Sequence, residues 1–141
     1  MRAVIQRVTR ARCEVGGRET AGFEGEGLVV LLGVTHDDGA AAADTMARKI
    51  AELKLLRGDR GTGEAAAPVL LISQFTLYAD TRKGRKPSWS KAAPADQAAP
   101  LVERVAVALE ARGVAVARGV FGADMLITLA NDGPVTLIVD T

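Results

Sequence analysis

Residues Asn131–Thr136 read N-D-G-P-V-T and interrupt two apolar, β-branched runs, Met125–Leu129 (M-L-I-T-L) and Val135–Val139 (V-T-L-I-V). Both runs have the length and composition of β-strands. Between them, glycine accepts almost any backbone angle, whereas proline fixes its own φ and has no N–H to donate to a neighbouring strand. The spacing alone therefore predicts a tight turn at 131–134 between two antiparallel strands.

A second polar stretch follows Val69–Ile72 (V-L-L-I), whose composition is that of a buried strand. The predicted strand continues to Thr76 through Ser73, Gln74 and Phe75, so three polar side chains stand at its end. A strand that becomes polar in this way usually ends at a surface or a pocket. From the residues alone, a functional site and ordinary cross-strand hydrogen bonds from the Ser73 and Thr76 hydroxyls both remain open.

The rest of the chain consists mainly of predicted strands with two helices. Ala3–Thr9 and Leu28–Val34 have strand composition, and glycines 22, 25 and 27 predict a loop before the second of them. The other predicted elements are a Cys13–Val15/Arg18–Thr20 hairpin turning at Gly16-Gly17, a helix over Ala40–Leu56 capped by Asp37 or Asp38, a helix over Gln97–Arg112 ended by Gly113, and a strand over Val114–Arg118. We expect one α/β (α+β-like) domain over residues 1–141, with a curved or barrel-like mixed sheet and two main helices.

Composition excludes several classes of protein. A net charge of +1 provides no strong attraction to nucleic acid, so any RNA contact must come from a local patch, and 4% aromatic residues argue against a base-stacking platform. Cys13 is the only cysteine, so no internal disulfide can form, and we assign it a structural role. Arginines interrupt the N-terminal segment and Leu28–Leu32 is too short to span a bilayer, so we expect a cytoplasmic protein without a membrane partner.

The common catalytic and metal-binding patterns are missing from the sequence. His36 is the only histidine, lies in a predicted loop where we assign it a surface or capping role, and has no G-x-S-x-G elbow to serve. No zinc-ligand spacing and no phosphate-binding loop occur, so neither a metal nor an organic cofactor is expected. If the chain is an enzyme, its rate must come from positioning, from backbone N–H dipoles or from a group on the substrate.

Ser73–Leu77 (S-Q-F-T-L) and Asn131–Thr136 together resemble the two signature motifs of the D-aminoacyl-tRNA deacylases. Three further stretches are similar to segments of that family: M-R-A-V-I-Q-R-V at 1–8, G-R-K-P-S-W at 84–89 and F-G-A-D-M at 121–125. They occur in the family's order and at about its spacing. The resemblance covers nearly the whole chain. It implies a homodimer that hydrolyses the ester bond between tRNA and a mischarged D-amino acid, and also the ester of glycine mischarged on tRNA(Ala).

The resemblance implies catalytic positions at Ser73, Gln74, Phe75 and Thr76. Backbone N–H groups such as those of Gln74–Thr76 would polarise the ester carbonyl, and the 2′-hydroxyl of the terminal ribose would assist hydrolysis. An older view of the family makes the hydroxyl at the Thr76 position the nucleophile. Without an adjacent base a threonine hydroxyl is a poor nucleophile, so we favour hydrolysis assisted by the substrate.

The resemblance also implies that Gly133 and Pro134 reject L-aminoacyl-tRNA. In the family this bond is cis and reaches into the partner subunit's active site, where its carbonyl groups leave no room for an L side chain. Asn131 belongs to the same motif, and Arg7 matches an arginine that holds it in place. From the residues alone, Arg7 could instead be a strand arginine that faces solvent.

The positions of Phe121 and Met125 match pocket residues of the family, although both could equally be core residues. The loop Thr81–Lys91 is the best candidate for tRNA contact, because lysine and arginine neutralise phosphates; an ordinary solvated loop is the alternative. Its cationic side chains are Arg82, Lys83, Arg85, Lys86 and Lys91. One stretch departs from the family: Leu55–Pro68 is short and Gly/Ala-rich, so the rim of the pocket is expected to be more open.

Two other functions are compatible with these motifs. A non-catalytic RNA-binding module could keep the fold, but it would not need both Ser73–Thr76 and Gly133-Pro134 intact. An esterase acting through Thr76 would accept small esters that lack the ribose 2′-hydroxyl. We therefore expect aminoacylated tRNA as the partner, and no DNA.

Overall fold

The computed structural model describes all residues, 1–141, as five strands, three α-helices and one 3₁₀ turn. The strands are β1 (Arg2–Val15), β2 (Arg18–Gly33), β3 (Val69–Ser73), β4 (Val116–Arg118) and β5 (Leu126–Asp140). The helices are α1 (Ala40–Glu52), α2 (Thr62–Ala65) and α3 (Ala95–Glu110), and the 3₁₀ turn is Phe75–Tyr78. The strands form one mixed sheet in the order β4-β3-β2-β1-β5. The mixed sheet and the two main helices are confirmed, and the sheet is open rather than closed into a barrel.

The β1–β2 hairpin turns at Gly16-Gly17, whose φ angles of 59° and 77° lie in the left-handed region that favours glycine. The predicted hairpin is confirmed. The predicted loop at glycines 22, 25 and 27 is wrong, because all three lie within β2. Gly22 and Gly27 are needed for close approach: an added Cβ would lie 2.7 Å from the Ala11 carbonyl oxygen and 2.5 Å from that of Pro68.

Strand β5 runs without a turn through the segment N-D-G-P, so the predicted tight turn at Asn131–Pro134 is wrong. Both halves of β5 pair with β1, since Asn131 lies opposite Val8 and Thr136 opposite Gln6. The four residues 132–135 therefore face only Arg7, and the ladder is irregular there. Proline is tolerated at such a place, because no N–H is needed at a bulge of an edge strand. The Gly133-Pro134 peptide bond is cis.

Helix α1 begins at Ala40 as predicted but ends early, and helix α3 differs from its predicted bounds at both ends. Helix α1 stops at Glu52 rather than Leu56, and its N-cap is Gly39. The predicted capping by Asp37 or Asp38 is wrong, because the Asp38 carboxylate instead accepts hydrogen bonds from the Met1 ammonium group and the Thr35 N–H. Helix α3 starts two residues before the predicted Gln97. None of the helices is long and apolar enough to cross a membrane.

The larger core lies between the sheet and the pair α1–α3. It contains fully buried side chains from both layers, such as Ile5 and Leu32 of the sheet and Met46, Ile50 and Leu109 of the helices. A smaller cluster occupies the opposite sheet face and comprises Val8, Ala11, Cys13, Val29, Leu70 and Ile72. Cys13 is 0% exposed, which fits its assigned structural role. The two quoted motifs lie at the end of β3 and in the middle of β5, and their residues are half-buried or exposed.

Candidate active site

The predicted strand Val69–Thr76 ends three residues early, at Ser73. Its neighbour β2 ends at Gly33, so no ladder partner remains after the Gln74 N–H donates to the Leu32 carbonyl at 2.7 Å. The chain then forms the 3₁₀ turn, in which the Leu77 N–H donates to the Gln74 carbonyl at 3.2 Å. Gly33 permits this turn to pack closely, since a Cβ there would lie 3.0 Å from the Gln74 carbonyl oxygen.

An apolar cleft of about 540 Å³ opens beside the 3₁₀ turn. Ser73 and Gln74 form a polar part of its wall, while Phe75, Phe121 and Met125 belong to the remainder. These five predicted residues are therefore brought together, although Ser73 and Met125 are 52 positions apart in sequence. Such a cleft, mainly apolar with a few polar groups, is the usual form of a small-molecule site.

Phe121 and Met125, the two expected pocket residues of F-G-A-D-M, differ in their surroundings. Phe121 is 40% exposed, so the alternative that it is a core residue is wrong. Met125 lines the cleft and also packs against the smaller core cluster. Asp124, between them, contributes a carboxylate that lines the cleft and makes no ion pair, and the sequence analysis did not assign it. Its position inside F-G-A-D-M is the signal that could have identified it.

The start of the 3₁₀ turn leaves backbone donors free. The N–H groups of Phe75 and Thr76 have no backbone acceptor, as expected for the first residues of a helical turn. The predicted third donor, the Gln74 N–H, is already bonded to Leu32. Thr76 does not line the cleft, and its hydroxyl oxygen accepts a hydrogen bond from the Gln74 side-chain amide.

No titratable side chain is hydrogen-bonded to the Thr76 hydroxyl, so none is in place to act on it as a base. The ring of His36 contacts the Ser90 carbonyl oxygen through Nε2 at 3.0 Å, far along the surface loop. Tyr78 is the nearest phenol in sequence, and burial raises its pKa to about 12, so it stays protonated at neutral pH. No group of three or more His, Cys, Asp or Glu side chains is arranged to hold a metal ion.

Arg7 directly contacts the segment N-D-G-P at Asn131–Pro134, called the motif segment below. Its Nε donates to the Asp132 carbonyl at 3.0 Å, its second terminal nitrogen to the Gly133 carbonyl at 3.4 Å, and its other terminal nitrogen to the Leu55 carbonyl at 3.2 Å. The residue is only 8% exposed, so the alternative that Arg7 faces solvent is wrong. The neighbouring Gln6 side chain donates to the Asn131 side-chain oxygen at 3.0 Å.

The motif segment itself lies away from the cleft of its own chain. None of the residues 131–134 lines that cleft. The predicted site residues thus form two groups within one chain: the cleft group around Ser73–Phe75 and the motif group around Arg7 and Gly133. A single copy does not bring the two groups together.

Every residue of the basic loop, from Thr81 to Lys91, is exposed. Arg82 and Lys91 both pair with Asp80, and the Arg82 guanidinium holds the pKa of that carboxyl well below its usual range. The three remaining cations, Lys83, Arg85 and Lys86, form no ion pair. Trp89 anchors the loop to the 3₁₀ turn through an edge-to-face contact with Phe75, with ring centroids 5.5 Å apart.

Residues 4–140 match the family model described as D-Tyr-tRNA(Tyr) deacylase. The chain belongs to this family. A D-aminoacyl-tRNA deacylase of Kineococcus radiotolerans is 59% identical over 140 residues, covering 99% of both chains. One of Acidothermus cellulolyticus is 57% identical, again covering 99% of both. The resemblance seen in the sequence is therefore confirmed at the level of the family.

Two solved structures share the fold of this deacylase-family chain. A c-Myc DNA unwinding element binding protein superposes with a TM-score of 0.90 at 34% identity, covering 100% of this chain and 99% of its own. A probable eukaryotic D-amino acid tRNA deacylase gives a TM-score of 0.85, covering 99% and 98% of the two chains. At 18% identity the second match supports the fold alone.

Arg57 was missed by the sequence analysis, although it lies in the loop identified as a departure from the deacylase family. Its guanidinium pairs with the Asp132 carboxylate inside the N-D-G-P motif. No local sequence signal could have identified this contact, because the two residues are 75 positions apart.

Proposed function

We propose that the chain hydrolyses the ester bond of D-aminoacyl-tRNA, and of glycine mischarged on tRNA(Ala), in the cytoplasm. Family membership and the names of relatives at 50–59% identity support the reaction class. The observation that carries the proposal is the cleft beside the 3₁₀ turn: Phe75, whose N–H is unpaired, lines the wall next to Ser73 and Gln74, and the unpaired N–H of Thr76 follows it in the turn.

In this proposal the two free N–H groups polarise the ester carbonyl and stabilise the negative charge that develops on its oxygen. Water adds to the carbonyl carbon and the bond to the 3′-oxygen of the terminal ribose breaks. That oxygen takes up one proton of the water. The 2′-hydroxyl of the same ribose relays the proton, since the cleft has no histidine and Thr76 has no adjacent base. The amino acid leaves as a free carboxylate, and the second proton of the water passes to the solvent.

Chiral selection in this proposal requires a second copy of the chain. Gly133 and Pro134 lie on the edge strand β5, outside the cleft of their own chain, so they would act on the cleft of the partner. The same strand exposes Leu126 (64%) and Ile138 (68%), apolar side chains that a second copy would cover. A rigid backbone wall would exclude an L side chain and leave glycine, which has none, poorly rejected.

Side-by-side deacylation of D-Tyr-tRNA and L-Tyr-tRNA tests the proposal. We expect hydrolysis of the D-ester only, measured as loss of acid-precipitable labelled amino acid at several protein concentrations. Cleavage of both esters would indicate an esterase without a chiral filter. Binding of tRNA without cleavage of either ester would instead support the non-catalytic RNA-binding module.

Replacing Thr76 by Val separates the two views of the nucleophile. We expect Thr76→Val to keep most of its turnover, because the hydroxyl is already bonded to the Gln74 amide and lies off the cleft wall. D-Tyr-tRNA ending in 2′-deoxyadenosine should be cleaved about a hundredfold more slowly or worse, as expected when a group that assists proton transfer is lost. The reverse pattern would make Thr76 the nucleophile.

Removing the three unpaired cations of the basic loop tests the tRNA contact. In a Lys83→Ala, Arg85→Ala, Lys86→Ala variant, we expect weaker tRNA binding and a slope of log affinity against log salt reduced by about two to three. The matched control removes three exposed cations elsewhere, Arg18, Arg48 and Arg112. Equal loss in both variants would show that overall charge, not this loop, attracts tRNA.

A further inference from the structure

Arg57 holds the motif segment by binding the carboxylate of Asp132. Its Nε donates to Asp132 Oδ2 at 2.9 Å, and a terminal nitrogen donates to Oδ1 at 2.5 Å. A two-pronged pair of this kind fixes the direction of a carboxylate as well as its distance. The Asp132 side chain is only 12% exposed, although Asp132 directly precedes the exposed Gly133.

Arg57 is itself anchored by strand β2. Its backbone N–H donates to Glu26 Oε1 at 2.7 Å, and the other oxygen of Glu26 accepts from Arg60 at 2.9 Å. Arg60 in turn donates to the Arg57 carbonyl at 3.1 Å. Isolated surface ion pairs contribute little because both side chains move freely. Here hydrogen bonds hold the backbone of Arg57, so fewer side-chain positions are open to its guanidinium than on a mobile loop.

Asp132 is also held by Arg7 of strand β1. The distance from Arg7 Nε to Asp132 Oδ2 is 3.2 Å, in addition to the bond to the Asp132 carbonyl. The hydrogen bond from Arg57, followed by charge interactions with both arginines, lowers the pKa of Asp132. The carboxylate therefore stays charged at neutral pH, and the residue before Gly133 is clamped between β1 and the loop Leu55–Arg60.

We infer that Arg57, acting through Asp132, is a positioning residue that sets where the Gly133-Pro134 segment stands and thereby how strictly L-esters are excluded. The inference rests on the proposed function, because the segment can discriminate esters only if they are the substrate. The short loop thus acts on the motif. None of its residues lines the cleft of its own chain, so the expected opening of the rim is not seen there.

Four variants test the inference: Arg57→Ala, Asp132→Asn, Arg57→Lys and, as control, Arg104→Ala. Arg104 makes a comparable two-pronged pair with Asp44, at 2.8 Å for both contacts, between α1 and α3. With substrate in excess over enzyme, kcat and KM are measured for D-Tyr-tRNA and L-Tyr-tRNA. We expect the D/L ratio of kcat/KM to fall about tenfold in Arg57→Ala and Asp132→Asn, which corresponds to about 1.4 kcal/mol.

The remaining two variants distinguish positioning from general stability. Arg57→Lys should recover part of the ratio, because an ammonium group keeps the charge but cannot hold both oxygens in a fixed plane. Arg104→Ala should keep the wild-type ratio. A wild-type D/L ratio in Arg57→Ala would overturn the inference while leaving the proposed function intact.

Amide hydrogen exchange gives a readout that does not depend on activity. Residues 131–133 should exchange faster in Arg57→Ala than in the wild type, with the Leu137 half of β5 unchanged; no difference at 131–133 would overturn the clamp. If the wild type hydrolyses neither ester, the proposed function fails and the chiral part of the inference fails with it. Faster exchange would then still support the clamp on its own.

Discussion

A Gly133→Ala variant should fold normally and lose D-Tyr-tRNA hydrolysis by about a hundredfold or more, equivalent to about 2.7 kcal/mol of barrier. Within the chain, the added Cβ would meet one atom inside 4 Å, the side-chain nitrogen of Asn131 at 3.2 Å. The φ of Gly133 lies outside the left-handed region, so alanine adds no backbone strain. In the proposed dimer, the same methyl group would fill the space kept for the substrate's α-carbon.

The contrast between folding and activity makes this variant informative. Thermal unfolding should differ little from the wild type, and Gly39→Ala is a matched control, since Gly39 has open space around it and an extended φ of −141°. Steady-state kinetics on D-Tyr-tRNA then report the effect on the reaction. Wild-type activity in Gly133→Ala would remove Gly133 from the substrate's surroundings and would contradict the proposed chiral wall.

The sequence predicted the strands and helices well where each element is determined by its own residues. The alternation in β1, the Gly16-Gly17 turn and the apolar face of α1 are local properties, and the structure has all three. The predictions failed where a neighbouring strand determines how far an element extends. Strand β3 stops at Ser73 because β2 ends beside it, and no residue between 73 and 76 carries that information.

The N-D-G-P segment shows the same limit more sharply. Glycine and proline together are typical of a turn, yet the strand continues because β1 pairs with β5 on both sides of the gap. The polar contacts that hold the segment come from residues distant in sequence, since Arg7 is 125 positions from Asp132 and Arg57 is 75 positions away. Family resemblance supplied Arg7 to the predicted site, while Arg57, in the stretch that departs from the family, could be found only in the structure.

Replacing Arg7 by Ala should have the largest effect on stability of any single change at the site. The variant loses hydrogen bonds to the carbonyls of Leu55, Asp132 and Gly133 and leaves those acceptors unpaired beside the core. Removing one partner of a buried charge pair costs about 3–5 kcal/mol, and we expect the lower end because Arg57 continues to hold the Asp132 carboxylate. Denaturant unfolding, with an unchanged slope, measures this loss.

A matched control for Arg7 lies on the same strand. Arg12 is paired with Glu19 and Glu24 but is half exposed, so Arg12→Ala should cost less than about 1 kcal/mol. Arg7→Lys keeps the charge, yet an ammonium group cannot reach three carbonyls in the directions that the planar guanidinium serves. It should therefore recover stability more than D/L selectivity. If Arg7→Lys instead kept wild-type selectivity, charge alone would hold the motif, and the fork geometry of Arg7 would have no part in placing Gly133.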